Sequence, residues 1–214
     1  MVHQLDNGLE VVLQQNRAAP VVAMQAWVQV GSADEAEREA GLAHLHEHML
    51  FKGTRKRGPG EVARDIEARG GEVNAWTSFD QTVYHLTIAS RFFEEGLDVL
   101  ADQVLHSVFD ADELAREIEV VIEEIKRAND MPSRKASRET FALAYRAHPY
   151  RRPVIGFPET VRSFTRDDVL AFYRRWYTPD NIVLVLVGDF DEARALRRIE
   201  ALWGDVRTRR GERP

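Results

Sequence analysis

The sequence predicts an α+β fold: one largely antiparallel sheet with helices packed mainly on one face. Three observations carry this. Asp6-Asn7-Gly8 between Leu5 and Leu9 is a hairpin-turn signal joining the first strands. A run of helical segments then separates those strands from a late apolar strand, an order typical of α+β chains. The 214 residues are 44% hydrophobic and 30% charged, enough to bury a core in one sizeable domain.

Each element has its own local signal. Leu9 to Leu13 reads as a strand, and Pro20 precedes a second one from Val21 to Val30. Residues 34–39 are acidic and polar and read as a loop or frayed turn. Ala40 to Phe51 is apolar, free of proline and helical, and Gly53 to Gly60 is a basic loop. In that loop Arg55, Lys56 and Arg57 read as a solvated charge run. Glu61 to Ala68 is helical and closed by Gly70-Gly71. Val73 to Ile88 is rich in Val, Trp, Thr, Tyr and Ile and reads as a strand pair or one long strand. Ser90 to Val108 is helical. Asp110 to Glu113 is a capping box opening a helix to about Arg127, ended by Asn129-Asp130-Met131-Pro132. A shorter helix, Arg138 to Arg146, leads to His148-Pro149-Tyr150. Thr165 and Asp168 form a second capping box for a helix from Asp167 to Trp176. Pro179-Asp180-Asn181 turns the chain into Ile182 to Val187, a continuous apolar strand expected to be buried on both faces. Gly188-Asp189 ends it, and a last helix runs from Asp191 to Trp203. The domain is thus expected over 1–206, with the polar, basic stretch 207–214 resembling a linker.

Composition narrows the function classes. A formal net charge of −6 argues against a dedicated nucleic-acid binder. The chain has no cysteine, which excludes disulfides and thiolate-ligated metals, so a metal site must use histidine and carboxylate. No apolar run is long enough to span a bilayer, so no membrane partner is expected. The first residues lack the basic start and apolar stretch of an export signal, and a cytoplasmic location is the default expectation.

The most informative segment is His44-Leu45-His46-Glu47-His48, a His-x-x-Glu-His pattern and a metallopeptidase signature of inverted order. At about 100° per residue, His44 and His48 lie about 40° apart on the helix, and Glu47 about 60° to the other side of His44. All three can address one spot. His46 lies roughly 200° from His44, which puts it at a packing or surface position. Two neutral imidazoles on one face make half of a zinc site, and the adjacent carboxylate can take a proton from a water on the metal.

A further ligand must come from elsewhere. The helix from Asp110 to Arg127 offers Glu113, Glu117, Glu119, Glu123 and Glu124. Leu114, Val120, Val121 and Ile125 mark its apolar stripe. Glu117 and Glu124, seven residues and about 20° apart, fall inside that stripe, whereas Glu119 and Glu123 fall opposite. A carboxylate on a core face must be paired, protonated or bound to a metal. Glu117 and Glu124 therefore need an account, as metal-site residues or as buried ion pairs.

Several stretches together resemble the N-terminal catalytic half of the pitrilysin family, the inverzincin peptidases related to mitochondrial processing peptidase. They are 41–54, 70–77 and 116–125, with His148-Pro149-Tyr150, Ile155-Gly156, Tyr177 to Asn181 and Gly188-Asp189. The resemblance spans about residues 3–204. It implies that His44, His48 and Glu124 ligate one zinc ion, Zn2+, with Glu47 as general base. It implies that Glu117 is a second carboxylate beside the site, and that Asn74 and Ala75 lie on an edge strand that receives the substrate backbone. By itself the sequence reads Asn74 only as a polar strand residue. Position 46 departs from the family pattern, which has an apolar residue there. The family is built from two related halves, so a homologous second half or partner subunit is implied.

The expected activity is zinc-dependent endopeptidase hydrolysis of extended peptides or unfolded segments. The alternative is a zinc-binding half that holds peptide or partner and is inactive without its second half. S-ribosylhomocysteine lyases share the His-x-x-Glu-His pattern but take a cysteine ligand, which this chain lacks.

Overall fold

The computed structural model describes residues 1–206; the linker-like stretch 207–214 lies outside the described residues. Six strands form one sheet: β1 (Val2–Gln4), β2 (Glu10–Gln15), β3 (Val21–Val28), β4 (Glu72–Thr77), β5 (Thr82–Ala89) and β6 (Ile182–Gly188). Their order is β1-β2-β6-β3-β5-β4, antiparallel throughout except for the parallel pair β2 and β6. The Asp6-Asn7-Gly8 turn joins β1 to β2 as expected, and Val73 to Ile88 resolves into the hairpin of β4 and β5.

The helices are α1 (Leu42–Met49), α2 (Glu61–Glu67), α3 (Phe93–Leu105), α4 (Ala111–Asp130), α5 (Pro132–Ala144), α6 (Pro158–Ser163), α7 (Arg166–Trp176) and α8 (Glu192–Trp203). Alternation in β3 decides which face they cover. Val22, Met24, Ala26 and Val28 are buried while the residues between them are half-exposed. Against this face α3 packs on β3 and β5, while α1 and α2 pack on β4. Among the described residues no helix is long and apolar enough to cross a membrane.

The last strand is inserted between the first two long ones. Register pairs Val12 with Val185 on one side and Gln25 with Val185 on the other. Gly188 closes β6 at φ +144°, and a Cβ there would fall 2.2 Å from the Val21 carbonyl oxygen, so the close approach of β3 requires glycine. Burial on both faces is not observed for β6. Ile182, Leu184 and Leu186 are buried, but Val183 and Val185 are half-buried and Val187 is 40% exposed. The strand is hydrophobic because it is central, while helices cover only one of its faces.

Several boundaries differ from expectation. Val21–Val28 ends two residues early, two short 3-10 turns form at Ser32–Asp34 and Glu37–Glu39, and Asp34 and Glu35 are buried. Helix α3 starts at Phe93 after a 3-10 turn and stops at Leu105. Helix α4 continues to Asp130. Its cap is Asp110, which accepts from the amides of Asp112 and Glu113, but Glu113 turns to Arg116 and no reciprocal box forms. Pro132 does not end a helical region. It opens α5 at the first turn, where a missing N–H costs nothing, so α5 starts six residues before Arg138. The short α6 carries no sequence signal long enough to predict. The Thr165 and Asp168 box forms in both directions.

In the basic loop Arg55 and Lys56 are exposed, as a solvated run would be, but Arg57 is not. Arg57 donates to Asp65 at 2.9 Å, Asp98 at 2.8 Å and Asp102 at 2.7 Å, and Asp102 is 1% exposed. Thr54 adds a 2.5 Å bond to the same Asp102 oxygen that Arg57 contacts. The cluster ties the loop and α2 to α3. Removing a charged partner from a buried pair leaves a carboxylate without compensation. Arg57→Leu is expected to cost about 3 kcal/mol in urea unfolding. Arg64→Leu, a change to an exposed pair with Glu61, is expected to cost under about 1 kcal/mol. Equal effects would overturn the distinction.

Candidate metal centre

Helix α1 is short, apolar on its inner side and entered through Gly41 at φ +100°. A Cβ on Gly41 would lie 2.7 Å from the Ile155 carbonyl oxygen, so the segment before α6 can close over the helix start only if position 41 is glycine. The unpaired amides at that start are met by Glu35. Its two carboxylate oxygens accept from Gly41 N–H at 3.0 Å and Ala43 N–H at 2.8 Å. Arg152, 5% exposed, donates to the carbonyls of Ser32 and Glu35 and fixes the preceding turn. Sequence reading missed Glu35, whose apparent setting was a polar loop. The one available signal was a carboxylate shortly before an apolar helix that lacks a capping residue.

The far side of α1 meets α4. Buried residues of α4 are Leu114, Glu117, Val121, Ile122 and Ile125. Val120, expected in the stripe, is 48% exposed because it lies about 100° from Val121, beyond the stripe's edge. Glu117 is 5% exposed, Glu124 is at the margin and half-buried, and Glu119 and Glu123 face solvent. The two acids singled out by position are therefore the two that face α1.

Glu124 Oε2 lies 3.7 Å from His44 Nε2 and 3.6 Å from His48 Nε2. These separations are too long for hydrogen bonds. They are close to the spacing of ligand atoms in a zinc tetrahedron, about 3.3 Å for bonds of about 2.0–2.1 Å. His44, His48 and Glu124 form the one such group among the described residues that could hold a metal ion. Glu117 completes the arrangement from behind. Its Oε2 lies 3.1 Å from His48 Nδ1 and its Oε1 2.6 Å from Lys52 Nζ. A hydrogen on Nδ1 directed at Glu117 leaves the His48 Nε2 lone pair facing the centre. Glu117 is thus both a buried ion pair and an orienting carboxylate. Lys52 is a site residue that sequence reading did not single out.

The electrostatics suit ligation. Burial, then the neighbouring His48, pushes His44 down to about 3, so its lone pair is free at neutral pH. Burial lowers His48 as the largest single influence. The hydrogen bond and charge of Glu117, with Glu47 and Glu124, outweigh it and hold His48 above its usual value. Burial opposes ionisation of Glu117, but His48 and Lys52 keep it below the usual carboxylate range. Glu47 is raised, chiefly by burial and against a hydrogen bond from Thr77. That bond, Thr77 Oγ1 donating to Glu47 Oε2 at 2.6 Å, links the carboxylate to the end of β4. Thr77 lay within the matched sequence stretches but was not assigned a part.

Strand β4 is the sheet edge. Asn74 is exposed opposite His85, and Ala75 is half-buried opposite Tyr84. Ala75 N–H is taken by Asn74 Oδ1 at 2.9 Å rather than by β5, so it belongs to the open edge. An added strand would pair there once the Asn74 side chain turns aside.

His46 stands apart, as the helix geometry predicts, and is packed rather than superficial. It is fully buried, with Nδ1 2.8 Å from Leu42 O and Nε2 2.9 Å from Val169 O. Burial pushes it down to about 4, so at neutral pH the ring has one N–H and donates to one of the two carbonyls. The polar contact with α7 explains how a histidine occupies a core position between Phe109 and Phe172.

Fold and site together define a peptidase-like domain: a sheet whose edge ends beside a helix of His-x-x-Glu-His order, faced by carboxylates of a second helix. The chain belongs to the insulinase family, peptidase family M16, whose profile matches residues 10–157, while the profile of the M16 inactive domain matches 163–214. It is 36% identical over 87% of its length to an uncharacterised zinc protease of Bacillus subtilis, covering 46% of that protein. It is 30% identical over 94% of its length to a probable mitochondrial-processing peptidase subunit beta of Arabidopsis thaliana, covering 38%. A Helicobacter pylori protease superposes with a TM-score of 0.94 at 28% identity, over all of this chain and 52% of that one. The first half of the Escherichia coli periplasmic protease PqqL gives 0.90 at 29%, over all of this chain and 48% of that one. The chain spans about half the length of the curated relatives it matches.

Two predictions follow from the geometry. Glu117→Gln is expected to weaken zinc binding by about 10–100-fold in chelator competition, with Glu119→Gln unchanged; equal affinities would remove Glu117 from the site. The second concerns Glu35, which burial pushes up to about 8 from 4.5 despite the amides of Ala43 and Gly41 and the charge of Arg152. A carboxyl raised by folding contributes stability that is full below its unfolded value and lost as pH rises through its folded one. The thermal midpoint should fall between about pH 4.5 and 8, and Glu35→Gln should flatten that fall. A slope identical to that of the unmodified chain would remove Glu35 as its source.

Proposed function

We propose that this chain is the metal-bearing half of a zinc-dependent endopeptidase acting on extended peptides or unfolded segments. The observation that carries the reading is the convergence of His44, His48 and Glu124 beside a half-buried carboxylate, Glu47, that is anchored on the substrate-edge strand. In this reading the three residues hold Zn2+, and Glu117 orients His48. Bound zinc supplies Lewis acidity and makes water nucleophilic near neutral pH.

The protein's own groups do the rest. An extended substrate adds to β4 at Asn74 and Ala75, so main-chain hydrogen bonds position the scissile bond with little demand on side chains. Glu47 accepts the proton of the attacking water and delivers it to the leaving amine. Burial raises its pKa above the ordinary carboxylate value, which makes it a stronger base than an exposed glutamate. Thr77 limits the directions in which that carboxylate can point.

One observation favours a second reading. The chain matches about half of its relatives' length, and a half by itself excludes water from a reaction poorly. The isolated chain would then bind zinc and peptide and await a homologous second half for turnover. A quenched-peptide assay with zinc analysis tests both. Glu47→Gln is expected to retain one zinc per chain and lose turnover about 10²–10⁴-fold. Undiminished cleavage by Glu47→Gln would overturn its role. Zinc binding without cleavage until a second half is added would favour the second reading.

A further inference from the structure

A cavity of about 620 Å³ opens on the metal centre, with His44, Thr77 and Glu124 at its inner end. Its walls are the end of α4, the first turns of α5 and the segment before α6. Ile125, Val154 and Ile155 make much of the surface apolar. A second cavity of about 230 Å³ adjoins it and shares Arg134, Arg138, Pro153 and Val154. Arg151 and Arg152 complete a set of four guanidinium groups in this outer space, and no carboxylate lines it.

The pairing of these arginines leaves a surplus of positive charge. Arg151 and Arg152 share one carboxylate, Glu37, itself 67% exposed. Arg138 turns to Asn129 and lies 3.5 Å from Glu139. Arg134 is exposed and finds no carboxylate among the described residues, although it borders both cavities. Such a bare guanidinium is a planar donor suited to a carboxylate. The acids of the inner cavity, Glu124, Glu139 and Glu159, line that cavity and not the outer one.

We propose that the outer cavity is a specificity subsite for an acidic side chain, an aspartate or glutamate of the substrate lying a few residues from the scissile bond and met by Arg134 and Arg138. This deepens the peptidase reading and rests on it. The peptide follows the apolar inner cavity away from the metal centre and reaches the arginines with its next side chains. The apolar wall gives little discrimination, so a charged contact at its outer end decides among otherwise similar segments.

The test reads binding rather than turnover. Fluorescent peptides amidated at the C-terminus, carrying Glu, Gln or Lys at each position around one cleavable core, are titrated against the zinc-loaded full chain by anisotropy. At one position, glutamate is expected to bind about tenfold tighter than glutamine, with lysine weaker still. Arg134→Glu combined with Arg138→Glu should reverse that order. Equal affinities for Glu, Gln and Lys at every position would overturn the subsite. So would a preference seen only when a glutamine peptide is given a free C-terminal carboxylate, or a glutamate preference unchanged in the double variant. The peptide comparison on the unmodified chain needs no variant to fold. Cleavage of the same peptides, followed in parallel, separates the two readings. Discrimination without cleavage, even after a homologous second half is added, would count against the peptidase reading alone, and cleavage without discrimination against the subsite alone.

Discussion

The Glu117 carboxylate is the contact on which the arrangement of the centre depends. It is buried on the face of α4 that meets α1, and it takes both His48 and Lys52 from that helix and its end. An isolated carboxylate there would be costly, and an isolated lysine beside it no better. Together they neutralise one another and leave one Glu117 oxygen directed at His48. That oxygen decides which imidazole nitrogen carries the hydrogen, and so which nitrogen faces His44 and Glu124. A packing contact between two helices thereby becomes a statement about ligand chemistry. The charged residues at this interface are few, and Glu117 engages two of them at once, as a buried polar cluster requires.

The same economy runs through the supports of α1. An eight-residue helix is marginal on its own and depends on tertiary contacts. Glu35 holds its first amides, Gly41 admits the Ile155 carbonyl at close range, and His46 fastens its middle to α7. Thr77 then ties Glu47 directly to the edge strand that would receive a peptide. Rigid support of this kind is what a reaction between a fixed base and an extended backbone demands. The Arg57 cluster acts farther away, locking the loop after α1 to α3 through the buried Asp102.

Charge is distributed unevenly around this frame. Carboxylates gather at the centre, where a divalent cation would balance them, while guanidinium groups gather about the outer cavity beyond α4. A net charge of −6 over the chain conceals this separation, because the sum says nothing of placement. Short segments decide it: α5 begins at Pro132 rather than at Arg138, and that early start brings Arg134 into the first turn of a helix beside the cavity.

The sequence by itself determined the periodic elements and the inner logic of the motif. His44, Glu47 and His48 share a helical face because 3.6 residues per turn leaves no other choice, and His46 is excluded by the same rule. The α4 acids sorted correctly for the same reason, with Glu117 and Glu124 inward and Glu119 and Glu123 outward. The hairpin of β1 and β2 and the cap at Thr165 were legible because their signals are local. What required the tertiary structure was every contact made across long separations. Glu35 looked like a loop acid until α1 turned its amides toward it, Arg57 looked solvated until three aspartates closed on it, and β6 looked doubly buried until its outer face was left without helices. Only the folded chain decided that α4 faces α1, and that Lys52 and Thr77 belong to the centre. A sequence records the period of each element, whereas burial and pairing depend on which faces meet.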